Sequence, residues 1–416
     1  MTLRQAQGSR DFADEAARLD AADPLAKWRD EFQLDGDLAY LDGNSLGALP
    51  KATPARIAEV FEREWGKGLI GSWNSAGWID LPRKVGGMIA PLVGARAHEV
   101  IVADSVSVNL FKLTSAALAM QEGRKVVLSE PGNFPTDLYM IEGLEGQGLA
   151  ERRLVERGAI AKALDDDVAL LLLTHVHYKS GEMFDMVRLT KAARDAGALV
   201  LWDLSHSAGA VPVDLGEAGA DFAVGCGYKY LNGGPGAPAF AYVAERHLEA
   251  LKQPLSGWMG HKAPFAFSDD YEPAPGIEKL LCGPPPILGM RALEVGVDLV
   301  AGIGIPALVE KSRALSEFTR TAMADCVPEL ACISPENPEH RGSQLSFRHE
   351  HAYELCQALI AQQVVGDFRA PDILRLGFAP AYVRFADCWR AVSELRAILD
   401  SGEWQKPEYA ERSAVT

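Results

Sequence analysis

Short unbroken apolar runs recur through the middle of the chain: EVIVAD (99–104), KVVLSE (125–130), VALLLLTHV (168–176), ALVLWD (198–203) and DFAVGCG (221–227). A strand with one wet face alternates apolar and polar residues, so unbroken runs predict strands covered on both sides. Helical spacing fills the gaps, over about 108–120 and in MVRLTKAARDAG (186–197), where Gly197 supplies a C-terminal stop. This alternation predicts an α/β fold built on a mainly parallel sheet. Ahead of it the pattern predicts a polar helix, a short strand LAYLD (38–42), the turn DGNSLG (42–47) and a helix over 52–65. After Pro286 the pattern changes to longer helices over 289–300 and 307–326, a β segment QLSFRH, a helix over 353–363 and a strand ILRLGF. The expected division is an N-terminal segment 1–50 joining the small domain, a large α/β domain over 51–288, and a small α+β domain over 289–416.

Composition narrows the class. A chain of 416 residues, 48% hydrophobic and 24% charged, suits a soluble protein of two domains. The net charge of −16 argues against nucleic acid or an anionic membrane as partner, and leaves room for a basic pocket. The N-terminus is polar and acidic, and no apolar run reaches the ~18 residues of a membrane span. Six cysteines without a CxxC pair argue against a metal site or a disulfide framework. A cytoplasmic location is expected.

Ligands of open α/β sheets bind beyond the carboxyl ends of the strands. Polar groups stand at five such ends: SVSVN, NFPTD, THVHYKSG, DLSHSAG and YKYLNGGPG. One shared pocket is the economical expectation. Lys229 follows an apolar strand and precedes a glycine-rich turn, where an amine can attack an aldehyde; a surface lysine in a loop has the same local pattern. Asp203, ending another strand, can pair with a protonated pyridine nitrogen or simply cap the next helix. His206 lies three residues on. Ser105 and Ser107 precede a helix whose free N–H groups can hold an anion. Tyr228, Thr174 and the loop from Phe134 to Asp137 can complete that cradle. No P-loop string occurs, and His175 with His177 lacks a third metal ligand at a persuasive spacing.

DLSH followed by GYKYLNGGPG resembles the cofactor site of fold-type I pyridoxal 5′-phosphate (PLP) enzymes of the class V aminotransferase group. The ordered strings LDGNSLG, SWNSAGW, NFPTDLY, WDLSHSAGAVPVDL, GYKYLNGGPG and SGWMGH, with RGSQLSF and ILRLGFAP, are similar to the kynureninase family and cover nearly the whole chain. The resemblance implies a PLP-dependent transferase-like large domain with a seven-stranded sheet, PLP as cofactor and a homodimer. It implies hydrolysis of L-kynurenine, or its 3-hydroxy form, to the matching anthranilate and L-alanine, in the tryptophan catabolism that also feeds NAD biosynthesis. It assigns Lys229 to the Schiff base, Asp203 to the pyridinium nitrogen with His206 beside it, and Val106 and Ser107 to the phosphate. Phe134, Pro135, Thr136 and Asp137 form the loop against the ring, and Thr174 is a hydroxyl near the cofactor. Tyr228 is implied in phosphate binding and proton transfer, and Trp258 at the phosphate end near a subunit boundary. Arg375 is implied as the clamp on the substrate's α-carboxylate, with Asn44 and Trp73 on the substrate side; a tryptophan in a glycine- and serine-rich loop serves equally as a packing anchor. The chain departs from the family at Pro284, where members typically carry Asn or Thr; proline has no side-chain donor and no N–H. A cysteine desulfurase or another PLP lyase, or a noncatalytic protein of the same fold, are the competing expectations.

Overall fold

The unbroken apolar runs form strands buried along their length, and two further strands complete the sheet. In chain order these are β1 Val100–Val102, β2 Val126–Ser129, β3 Glu151–Leu154, β4 Val168–Thr174, β5 Leu199–Asp203, β6 Phe222–Gly225 and β7 Phe240–Val243. The sequence pattern did not mark β3 or β7. β3 reads ERRL and is partly exposed because it is an edge, while β7 is a short run behind a Gly/Pro-rich turn. The order across the sheet is β3-β2-β4-β5-β6-β7-β1, parallel except for β7, which runs against both neighbours. Register sets Thr174 opposite Asp203, and Asp203 opposite Val224. The carboxyl ends of three adjacent strands therefore meet.

The computed structural model describes residues 11–412, so Met1–Arg10 of the expected N-terminal segment lie outside the described residues. The chain divides into two units. The larger comprises Ser45–Tyr178 and Glu182–Ile305; the smaller comprises the chain up to Asn44, Lys179–Gly181, and the chain from Pro306 on. The expected boundaries at 50 and 288 therefore shift to 44 and 305. The helices of eight or more residues in the larger unit are α1 Ala52–Glu59, α2 Leu81–Ile89, α3 Val106–Met120, α4 Pro135–Gly146, α5 Met186–Asp195 and α6 Ile287–Ile303. The last of these causes the shift: α6 packs along α1 and α2, Arg291 donates to the Ala76 carbonyl (2.6 Å), and Glu294 pairs with Lys84 (2.7 Å). Gly304, at φ +89°, then breaks the helix, a conformation that L side chains resist.

The smaller unit holds helix Phe12–Ala21, α7 Ile305–Cys326, β8 Ala331–Cys332, β9 Gln344–Arg348, α8 Ala352–Ala361, β10 Asp367–Arg369, β11 Ile373–Gly377 and α9 Phe385–Ser401. Its antiparallel sheet runs β10-β11-β9-β8, and Ala39–Tyr40 pairs in parallel with Val364–Val365. Phe12 lies between Trp389 (5.6 Å) and Phe318 (6.0 Å), which pins the N-terminal helix to this unit's core. Among the described residues, no single helix is long and apolar enough to cross a membrane.

Candidate active site

Beyond the ends of β4, β5 and β6, the larger unit encloses a cavity of about 260 Å³ lined by Ser107, Phe134, Thr174, Asp203, His206 and Lys229, among others. Lys229 follows the tight turn after β6, is 7% exposed, and sets its Nζ 5.7 Å from the Phe134 ring centre and 5.8 Å from that of Tyr228. The early DGNSLG motif supports this turn. The Gly47 N–H donates to the Tyr228 carbonyl (2.8 Å), and a Cβ at position 47 would lie only 2.3 Å from the Lys229 carbonyl oxygen. Only glycine fits such a close approach.

Two buried carboxylates share this end of the sheet. Asp203 is 1% exposed, and its Oδ1 accepts from both the N–H (2.8 Å) and the hydroxyl (2.6 Å) of Ser205. Burial raises its pKa, while Ser205 and the charge of Lys229 pull it back. Asp137, on α4, accepts from Thr174 Oγ1 (2.9 Å) through Oδ2, whereas its Oδ1 is buried without a partner. Burial, then the neighbouring Asp203, push the Asp137 carboxyl well above the ordinary range. Such a pair invites a cation between the strand ends. Burial likewise holds the Tyr228 phenol protonated, with Cys226 and Asp203 adding to the effect.

The anion end of the cavity is the start of α3. Ser105 caps this helix by accepting from the Val108 N–H (3.4 Å), so the helix begins at Val106, two residues ahead of the expected start. Unbonded N–H groups of a first turn attract negative charge. Asp104, just before the cap, has φ +48°.

The structure brings Val106, Ser107, Phe134, Thr136, Thr174, Asp203, His206, Tyr228 and Lys229 into one lining. Asp137 stands behind Thr174, and Pro135 serves as the first residue of α4. Trp73 does not line the cavity. It packs edge-on to Trp78 (6.1 Å), whose indole N–H donates to Glu64 (2.5 Å), so here it anchors its loop. Trp258 is also outside the lining, 40% exposed, with Phe265 and Phe267 around it. Pro284 is exposed and lines no part of the cavity. Asp104, Tyr178, Ser205 and Cys226 line it without having been singled out as ligands. Ser205 had a readable signal, since a serine two residues after a strand-end aspartate can close back on its carboxylate. His175 meets Ser207 Oγ (3.0 Å) and His177 meets the Gly132 carbonyl (3.0 Å). Among the described residues no group of three or more His, Cys, Asp or Glu is placed to hold a metal ion.

Arg375 and Asn44 belong to the smaller unit. Arg375 is 1% exposed and presents its Nε (2.6 Å) and one Nη to the two oxygens of Asp367, a planar fork that fixes the guanidinium. Asn44 is 1% exposed, and neither its Nδ2 nor its Oδ1 finds a hydrogen-bond partner. A buried amide left unpaired in this way costs about 1–3 kcal/mol, which a bound polar group can return.

Residues 308–395 match the family model described as the kynureninase C-terminal domain. The chain is 52% identical over 412 residues to a kynureninase of Burkholderia mallei (strain SAVP1), covering 97% of this chain and 99% of the relative. It is 47% identical over 407 residues to a kynureninase of Pseudomonas fluorescens, covering 96% and 98%. Among solved structures, a cysteine desulfurase from Thermococcus onnurineus NA1 shares the fold at TM-score 0.79 and 18% identity, over 90% of this chain and 98% of that one. The cysteine desulfurase CsdA of Escherichia coli does so at TM-score 0.76 and 17% identity, over 91% and 98%. A C-DES mutant with glycine covalently linked to its PLP cofactor does so at TM-score 0.75 and 16% identity, over 88% and 98%. At such identities the likeness concerns the fold alone.

Proposed function

The chain belongs to the kynureninase family, and from that premise we propose that it hydrolyses L-kynurenine to anthranilate and L-alanine with PLP held at Lys229. The observation that carries the reading is the convergence of Lys229, buried Asp203 and the start of α3 on one cavity. The cavity fits the cofactor chemically. It offers an amine for the aldehyde, the buried Asp203 carboxylate for the pyridinium, N–H groups for the phosphate, and an aromatic face at Phe134.

When bound, PLP supplies an aldehyde for the substrate's amine and a ring that accepts electrons from Cα. Asp203 would hold the proton at the ring nitrogen, and Ser205 fixes that carboxylate. Val106, Ser107 and the first turn of α3 would hold the phosphate, together with Tyr228. The Lys229 amine would take the proton from the substrate's Cα and later return it there, while Tyr228, protonated at neutral pH, would give a proton to Cβ. By the family resemblance, Arg375, oriented by Asp367, would bind the α-carboxylate, and Asn44 would offer its unpaired amide to the substrate. One water is consumed: its oxygen enters the carboxylate of anthranilate, and Cβ gains the hydrogen that makes alanine's methyl group.

Purified protein with PLP is expected to release equimolar anthranilate and alanine from L-kynurenine. The fold neighbours suggest cysteine as the rival substrate. Alanine and sulfur released from cysteine, with kynurenine inert, would overturn the reading. Burial pushes the thiol of Cys326 up, away from the reactive thiolate such a rival needs. Comparing rates on L-kynurenine and its 3-hydroxy form assigns the preferred substrate.

A homodimer belongs to this proposal. The exposed aromatics Trp258, Phe265 and Phe267, and separately Phe61, Trp65, Leu69 and Ile70, are the apolar surface that a second copy would cover. Sedimentation at twice the chain mass of 44.9 kDa is expected; a monomer at micromolar concentration refutes it. Six free cysteines fit a cytoplasmic, reducing setting.

A further inference from the structure

Lys112 is a buried charge that the proposed chemistry does not use. It sits on α3, is 0% exposed, and its Nζ donates to Asp104 Oδ2 (2.5 Å) and to the Leu280 carbonyl (2.5 Å). Asp104 in turn lines the cavity immediately before the Ser105 cap and holds a left-handed backbone at φ +48°. Its carbonyl accepts from the Ala239 N–H (2.9 Å), which fastens the turn to the strand side.

A buried ion pair is a poor stabilising device, since an apolar residue of similar size commonly serves as well or better. The placement of this pair gives it another use. A carboxylate among the residues lining a site that takes a phosphate dianion repels it, and burial weakens the screening of that repulsion. Lys112, bonded to that carboxylate and itself outside the lining, cancels the repulsion without blocking the site.

We propose that Lys112 is a positioning residue for the cofactor's phosphate: it neutralises Asp104 beside the turn whose N–H groups receive the dianion. The inference rests on the PLP reading of Lys229. It predicts a charge effect confined to phosphate, which separates it from a merely structural role. PLP and pyridoxal, which lacks the phosphate, are titrated against apo protein by the visible absorbance of the Schiff base. Lys112→Met is expected to weaken PLP about tenfold or more while pyridoxal is unchanged. Lys112→Met combined with Asp104→Asn is expected to recover PLP affinity to within about threefold, because asparagine accepts φ above zero and carries no charge. Asp104→Asn alone, which keeps the proposal testable if Lys112→Met does not fold, is expected to bind PLP at least as tightly as wild type. Equal losses for PLP and pyridoxal, no recovery in the double variant, or selective loss of PLP in Asp104→Asn each overturn the proposal. If wild-type protein forms no Schiff base with PLP, the cofactor reading itself fails and this inference falls with it.

Discussion

Ser205→Ala tests how Asp203 is kept ready for a cation. In the structure Asp203 Oδ1 accepts two bonds from Ser205, one from its N–H and one from its hydroxyl at 2.6 Å. Alanine keeps the first and deletes the second. A hydrogen bond to a charged group contributes about 1.5–3 kcal/mol, and losing it here leaves a carboxylate that is only 1% exposed with one donor fewer. At 1.4 kcal/mol per factor of ten, PLP affinity at neutral pH should fall by about ten- to a hundredfold. The sign with pH follows from the burial that already raises the Asp203 pKa. Without the hydroxyl the carboxyl is harder still to ionise, so the loss is larger at pH 6 than at pH 9, and the acid limb of kcat/KM moves to higher pH. The assay is a PLP titration of apo protein across that range, with kcat/KM measured on holoprotein. A fall of the same size at every pH would point to lost packing, and no fall at all would remove Ser205 from the account; either refutes the reasoning.

Other substitutions probe the remaining parts. Lys229→Ala should lose the visible absorbance of bound PLP, borohydride trapping and all but a trace of kynurenine turnover; normal turnover without added amine would falsify the central assignment. Asp367→Ala removes the fork that orients buried Arg375 and should cost about 3–5 kcal/mol by urea unfolding. It should raise KM for L-kynurenine more than it lowers kcat, and an unchanged KM counts against Arg375 as the carboxylate clamp. Two buried groups near the strand ends titrate in opposite senses: burial pushes Glu130 up to about 7 and His175 down to about 4. The raised Glu130 contributes stability that is lost as pH rises from about 4.5 to about 7, whereas the depressed His175 contributes stability that is lost as pH falls from about 6.5 to about 4. Glu130→Gln removes the first term, so its Tm should drop more than wild type's between pH 7 and pH 5. Parallel profiles would show that Glu130 carries no such linkage.

How much of this was legible in the sequence depends on how far each signal reaches along the chain. Unbroken apolar runs reported β1, β2 and β4 to β6 because burial on both faces is written into every residue of such a strand. The ordered motifs from LDGNSLG to ILRLGFAP gave the family, and Lys229, Asp203, Ser107 and Thr174 do line one cavity. Edge strand β3 escaped because an edge has no apolar requirement, and the boundary near 288 moved to 305 because only packing on α1 and α2 assigns α6 to the larger unit.

Tertiary structure alone settled how charges are matched. Nothing along the chain says that Asp137 lies against Asp203, that Asp367 forks Arg375, or that Lys112 reaches both Asp104 and Leu280, since partners separated by up to 168 positions become neighbours only when sheet and helices pack. It also packed Trp73 edge-on against Trp78, the anchor that the sequence left open beside a substrate wall. Periodicity and motif are local properties, so one sequence suffices to read them. Electrostatic pairing depends on distance in space, and the chain sets that distance only by folding.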